Sequence, residues 1–261
     1  MNDYMNGINK LDRADLTGRV ALVTGGSGSI GAAVSRALAD RGAAVAVHGR
    51  TEDRLTALVQ QIRGSGGTAV THLGDVRDPD HLTELTERVS ADLGPIDIAV
   101  PLAGGAGAPE PSAAMSAQRW REVIDLDLTS TFLTLRAVLP GMVERGDGRI
   151  VTVASSAGRR ASQANAAYAA AKAGVVMLTE HLAKEHAGNG IRVNCVAPSI
   201  VETDTLRDRM PAAQLAAVAG HVPLRRIGQP ADIAETVAFL VSDAAGWITG
   251  NTIDITGGMT L

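Results

Sequence analysis

At 261 residues, 45% of them hydrophobic, the chain is long enough for one large buried core. It is also short enough to be a single α/β domain, a type that runs to about 200–250 residues. The formal net charge of -4 leaves no basic excess to meet phosphates or an anionic bilayer, which argues against nucleic-acid and membrane partners. One cysteine, Cys195, excludes an internal disulfide framework and fits a reducing compartment.

Residues 1–16 have no apolar core of the signal-peptide kind and read as a flexible leader. No later stretch approaches the ~20 apolar residues of a membrane span, so a cytoplasmic protein is expected. From residue 17 to 261 the chain reads as one domain. The first strand, Val20–Thr24, runs into Thr24-Gly25-Gly26-Ser27-Gly28-Ser29-Ile30-Gly31 and then into a helix over Ile30–Arg41. Glycines in a strand–turn–helix allow close backbone approach to a pyrophosphate, and the helix start offers N–H groups to it. The turn can be read in two registers. Gly26, Gly28 and Gly31 spell GxGxxG, whereas Thr24, Gly25 and Gly31 spell TGxxxGxG with Ser29 in place of a glycine.

The second strand, Ala44–His48, ends in His48-Gly49-Arg50. A carboxylate there suits the ribose hydroxyl of NAD, and a guanidinium suits a 2′-phosphate. Arg50 therefore predicts NADP(H); the alternative, in which Glu52 or Asp53 serves NAD(H), stays open. A helix is expected over Asp53–Arg63, a strand over Ala69–Leu73, and a helix over Pro79–Leu93 with Asp78 as its cap. There follow a strand over Ile96–Val100, a long helix over Gln118–Arg145 and a strand over Arg149–Val153. The strands are near-continuous apolar runs, as in a parallel sheet covered on both faces. Their alternation with helices predicts a doubly wound, Rossmann-type sheet of about seven strands.

The helix expected over Ala166–Ala187 carries Tyr168-Ala169-Ala170-Ala171-Lys172. Aromatic residues make up only 2% of the chain, and its two tyrosines are Tyr4 and Tyr168, so Tyr168 is not there merely as bulk. Tyr168 and Lys172 are i,i+4 neighbours, about 5–6 Å apart at Cβ. A free phenol titrates near ~10, and an ammonium beside it favours the phenolate. Ser155, thirteen residues ahead of Tyr168, follows a strand end, where α/β sheets place ligands. The last strands, Arg192–Ala197 and Thr252–Ile255, flank a helix over Ala231–Val241.

Glycine-rich turn, serine and YxxxK together resemble the short-chain dehydrogenase/reductase family, in particular its 3-oxoacyl reductases, over residues 17–261. The resemblance selects the TGxxxGxG register. It implies that Tyr168 is the proton donor in carbonyl reduction, that Lys172 assists it and holds the nicotinamide ribose, and that Ser155 orients the carbonyl. It further implies cofactor contacts from Gly25, Ser27, Ser29, Ile30 and Gly31 in the turn, and from Asp75 and Val76 at the adenine. Ala103 and Gly104 would pass close to the cofactor, and Pro198, Val201 and Thr203 would lie near the carboxamide. The substrate is then a small carbonyl or secondary alcohol, no metal is required, and a homotetramer or homodimer is expected.

Three departures from the family pattern stand out. Ser29 replaces a glycine, with a hydroxyl of its own to donate to phosphate. Pro101-Leu102 replaces the usual Asn-Asn, so bonding after the fourth strand must differ. Asp127 replaces the catalytic asparagine; a carboxylate accepts hydrogen bonds but donates none. Pro101, Leu102 and Asp127 support an alternative, a non-catalytic cofactor sensor. Among other candidates, His181 and His186 have the wrong spacing to share a metal, Cys195 reads as core, and Arg159-Arg160 reads as solvated or as an anion attractor. Substrate specificity is assigned to loops over residues 105–111 and 202–226.

Overall fold

The computed structural model describes residues 15–260. The leader expected over 1–16, with Tyr4, therefore falls almost wholly outside the described residues. Leu16, at its end, is buried in the core, and its N–H donates to the Arg41 carbonyl at 2.7 Å.

Among the described residues, seven parallel strands form one sheet: β1 (Val20–Thr24), β2 (Ala44–Gly49), β3 (Thr68–Leu73), β4 (Ile98–Pro101), β5 (Gly148–Val153), β6 (Ile191–Pro198) and β7 (Thr252–Ile255). Their order across the sheet is β3-β2-β1-β4-β5-β6-β7, a doubly wound topology. Every residue of β1 and β5 is buried, which is why these strands read as near-continuous apolar runs. On β3, at the edge, only Ala69 and His72 are buried.

Among the described residues, nine α-helices connect and cover the strands: α1 (Ser29–Ala39), α2 (Glu52–Gly64), α3 (Pro79–Leu93), α4 (Ala117–Ile124), α5 (Ser130–Arg145), α6 (Ala166–His186), α7 (Asp204–Arg209), α8 (Ala212–His221) and α9 (Pro230–Val241). α1 and α9 pack together on one face, and α3, α5 and α6 cover the other. The core divides accordingly. Val34, Leu38 and Val237 lie on the first side, and Leu82, Leu85, Leu135 and Met142 on the second. The expected helix over Gln118–Arg145 is one continuous rod, but its middle, Asp125–Thr129, is a π-helical turn joining α4 to α5. Single π turns inside α-helices often mark functional positions. The segment 202–226, expected as loop, contains α7 and α8; neither buries a single residue, so no apolar period announced them.

Candidate active site

The strand order reverses between β1 and β4, and a cleft of about 480 Å³ opens there at the carboxyl ends of the strands. The glycine-rich turn forms its floor. Gly25 has φ +69°, and a Cβ on it would come 2.7 Å from the Ala103 nitrogen and 2.8 Å from the Leu102 carbonyl carbon. A Cβ on Gly31 would run into the Gly25 carbonyl oxygen. Gly31 is common to both registers, and Gly26 is crowded as well, since a Cβ on it would run into the buried Val47 side chain. Gly28 caps α1 without any side-chain bond, so the first N–H groups of the helix remain available to an anion.

The opposite wall is built by β5, α4–α5 and α6. Tyr168 and Lys172 share one face of α6, with the Lys172 Nζ 5.6 Å from the Tyr168 ring centroid. Lys172 is buried; its Nζ donates to the Val153 carbonyl at 3.1 Å and lies 3.4 Å from the Asp127 Oδ1. Asp127 sits in the π turn and is wholly buried. Its Oδ1 accepts the Gly105 N–H at 2.7 Å and its Oδ2 the Ala106 N–H at 3.2 Å. Ser155 follows β5, and its Oγ accepts the Ala157 N–H at 3.2 Å, which leaves the hydroxyl hydrogen free to donate. A Cβ on Gly158 would lie 2.5 Å from the Lys172 carbonyl carbon, so the loop after Ser155 rests directly on the α6 backbone.

Residues 25–260 match a family described as Enoyl-(Acyl carrier protein) reductase. The cis-4-hydroxycyclohexanecarboxylate dehydrogenase of Sinomonas cyclohexanicum is 38% identical over 242 residues, covering 93% of this chain and 96% of that protein. The 3-oxoacyl-(acyl-carrier-protein) reductase of Escherichia coli is 37% identical over 244 residues, 93% of this chain and 97% of its own length. A gluconate 5-dehydrogenase from Burkholderia cenocepacia, solved in complex with NADP and tartrate, has a TM-score of 0.89 at 32% identity, covering 96% of this chain and 98% of that one. The chain belongs to the short-chain dehydrogenase/reductase family. It is accordingly an oxidoreductase of the class that acts on alcohol and carbonyl groups.

Every position that the family resemblance assigned to the cofactor lines this one cleft, and so does Ser155; Asp127 stands behind its wall. Several side chains have local partners as well. The Ser29 Oγ accepts the Asp204 N–H at 3.1 Å, tying the glycine-rich turn to α7. Thr203 caps α7 through the Leu206 N–H. Asp75 accepts from the Arg77 main chain and guanidinium, and the latter bond holds its carboxyl well below the usual carboxylate range. Pro101 pairs in register with Thr24, and the Leu102 N–H continues the ladder to the Thr24 carbonyl at 3.2 Å. The buried Thr24 hydroxyl has no partner, and a proline beside it offers none.

Two groups went unread in the sequence. Arg54, in the first turn of α2, lines the cleft with Arg50, which precedes the helix cap Thr51; its nearness in sequence to Arg50 was the available signal. Asn165, three residues before Tyr168, is the buried cap of α6, as an asparagine at a helix start can be. The set-aside candidates sit as follows. Cys195 is buried in β6, where burial pushes its thiol up. Arg159 is paired with Asp254 at 3.2 Å. His181 and His186 both lie beside Glu185, the first of them exposed.

His48, next to the last residue of β2, lies at the cleft and is 1% exposed, with its Nε2 3.0 Å from the His81 Nε2. Burial first, then the neighbouring His81, pushes its pKa down to about 4; His72, Asp75 and Arg88 act more weakly. An unfolded histidine titrates near ~6.5, so between there and about 4 the unfolded chain binds the proton that the fold refuses. The stability that neutral His48 secures is present above about 6.5 and falls as pH drops toward about 4, by roughly 3 kcal/mol. His72 is shifted the same way. Urea unfolding at intervals across this range should show the decline, and a His48→Gln variant should flatten it. An equal slope in the variant would remove His48 from the account.

Proposed function

We propose that this enzyme interconverts a ketone and a secondary alcohol with NADP(H), using Tyr168 as the acid–base group. One observation carries the reading: a buried lysine, fixed by the Val153 carbonyl and the Asp127 carboxylate, lies under a tyrosine ring that opens onto the cleft. In reduction the Tyr168 hydroxyl gives its proton to the carbonyl oxygen, and in oxidation the phenolate takes it back. The Lys172 ammonium stabilises the negative charge left on the tyrosine oxygen. Ser155 donates a hydrogen bond to the same substrate oxygen and offsets its developing charge. When bound, the nicotinamide supplies or accepts the hydride at the substrate carbon.

The residues fit such a cofactor. The crowded backbone at Gly25 and Gly31, beside the uncapped start of α1, makes a cradle for a pyrophosphate. Arg50 and Arg54 at the far end of the cleft favour a 2′-phosphate over a bare ribose, since a guanidinium can grip phosphate in two places. We place the enzyme in the cytoplasm; no helix among the described residues is long and apolar enough to cross a membrane. Phe132 on α5, Met177 on α6 and the fully exposed Trp247 present apolar surface that supports a homotetramer or homodimer.

The test follows NADPH and NADH absorbance across a panel of cyclic ketones, hydroxy-acid ketones and oxoacyl thioesters. NADPH is expected to be oxidised with at least one of them and to bind more tightly than NADH. Binding without turnover on any substrate would favour the sensor, and tighter NADH binding would contradict the assignment of Arg50.

A further inference from the structure

We propose that Asn165 and Gly107 are positioning residues, which set the Tyr168 phenol against Lys172 by gripping the loop after β4. The inference rests on the reading of Tyr168 as the acid–base group and adds what holds it in place.

Residues 102–111 form neither helix nor strand, so their main-chain polar groups need partners from elsewhere. Two buried side chains provide them, each with the chemistry its side of the loop requires. The Asp127 carboxylate, which only accepts, takes the Gly105 and Ala106 N–H groups. The Asn165 Nδ2, which only donates, gives to the Ala106 carbonyl at 2.7 Å and the Ala108 carbonyl at 3.0 Å. Its Oδ1 accepts the Tyr168 N–H at 2.9 Å, so both ends of the carboxamide are engaged and its orientation is fixed. Asn165 is 1% exposed.

One side chain therefore joins the main chain of Tyr168 to the loop, and the loop in turn meets the Tyr168 ring. Gly107 lies between the two carbonyls that Asn165 grips. A Cβ on it would come 2.9 Å from the ring carbons Cδ1 and Cε1, closer than a side chain tolerates. The ring is thus set with the Gly107 backbone against it and the Lys172 ammonium 5.6 Å from its centroid. A shift of the loop is a shift of the phenol relative to that ammonium. Misplacement of a reacting group by about 1 Å can cost about 10²-fold in rate.

Gly107→Ala pushes on the ring, while Asn165→Ser keeps a helix-capping hydroxyl and gives up the double grip on the loop. Neither variant adds a charge. In both, kcat for whichever ketone the panel finds should fall about 10-fold or more, with NADPH affinity within about twofold of the parent. A kcat within about twofold of the parent in both would overturn the proposal, even with a lowered melting temperature, because looser packing alone lowers the folded fraction and not the turnover of the molecules that stay folded. Should Asn165→Ser fail to fold, Gly107→Ala decides alone. A Tyr168→Phe protein that still turned over would sink the acid–base reading instead.

Discussion

Asp127→Ala is expected to cost the fold about 3–5 kcal/mol, the range for breaking a buried ion pair from one side. Asp127 is wholly buried and carries three duties at once: it faces the Lys172 ammonium at 3.4 Å and accepts two loop N–H groups. An alanine leaves the ammonium with the Val153 carbonyl alone and leaves both N–H groups without their acceptor. Asp127→Asn should cost less. Its amide oxygen can keep one of the N–H bonds, while its amino group cannot accept the other and no longer offsets the lysine's charge. Urea unfolding at neutral pH measures both. A loss below about 1 kcal/mol for Asp127→Ala would mean that water or a rearranged loop replaces the carboxylate.

Asp127 also shows where sequence reading stopped. Its identity as a departure from the family asparagine was legible, and so was its closeness to Lys172. The partners of its side chain were not, because Gly105 and Ala106 lie more than twenty residues earlier in a segment without period. The same limit hid the His48–His81 pair, which joins a strand end to the first turn of α3. The strands and main helices were readable for a local reason. A buried parallel strand must be apolar throughout, and caps such as Asp78 before Pro79 mark a helix start by composition alone. α7 and α8 lacked that advantage: they bury nothing, and only Thr203 ahead of Asp204 and Pro211 ahead of Ala212 announced them. The π turn at Asp125–Thr129 was invisible, since one extra residue in a turn leaves the apolar pattern on either side intact.

The departures at Ser29 and Pro101 fall into place in the same terms. Ser29 tolerates its Cβ because it opens α1 beside α7, and its hydroxyl oxygen accepts the Asp204 N–H there. Proline at 101 ends its strand in register with Thr24, at the position where a lost N–H matters least to the ladder, since the Leu102 N–H takes up the Thr24 carbonyl. Its cost is local, the unpartnered Thr24 hydroxyl.

The account turns on the Tyr168 hydroxyl, and Tyr168→Phe isolates it. Phenylalanine keeps the ring that meets Gly107 and lies over the Lys172 ammonium, so packing and the cofactor cleft are retained while one oxygen is removed. Proton transfer by a positioned side chain is worth about 10²–10⁴ in rate. The decisive measurement is ketone reduction by the purified variant, with NADPH affinity measured alongside. The account predicts turnover lower by at least about 10²-fold with NADPH binding preserved; turnover equal to that of the parent protein would contradict it.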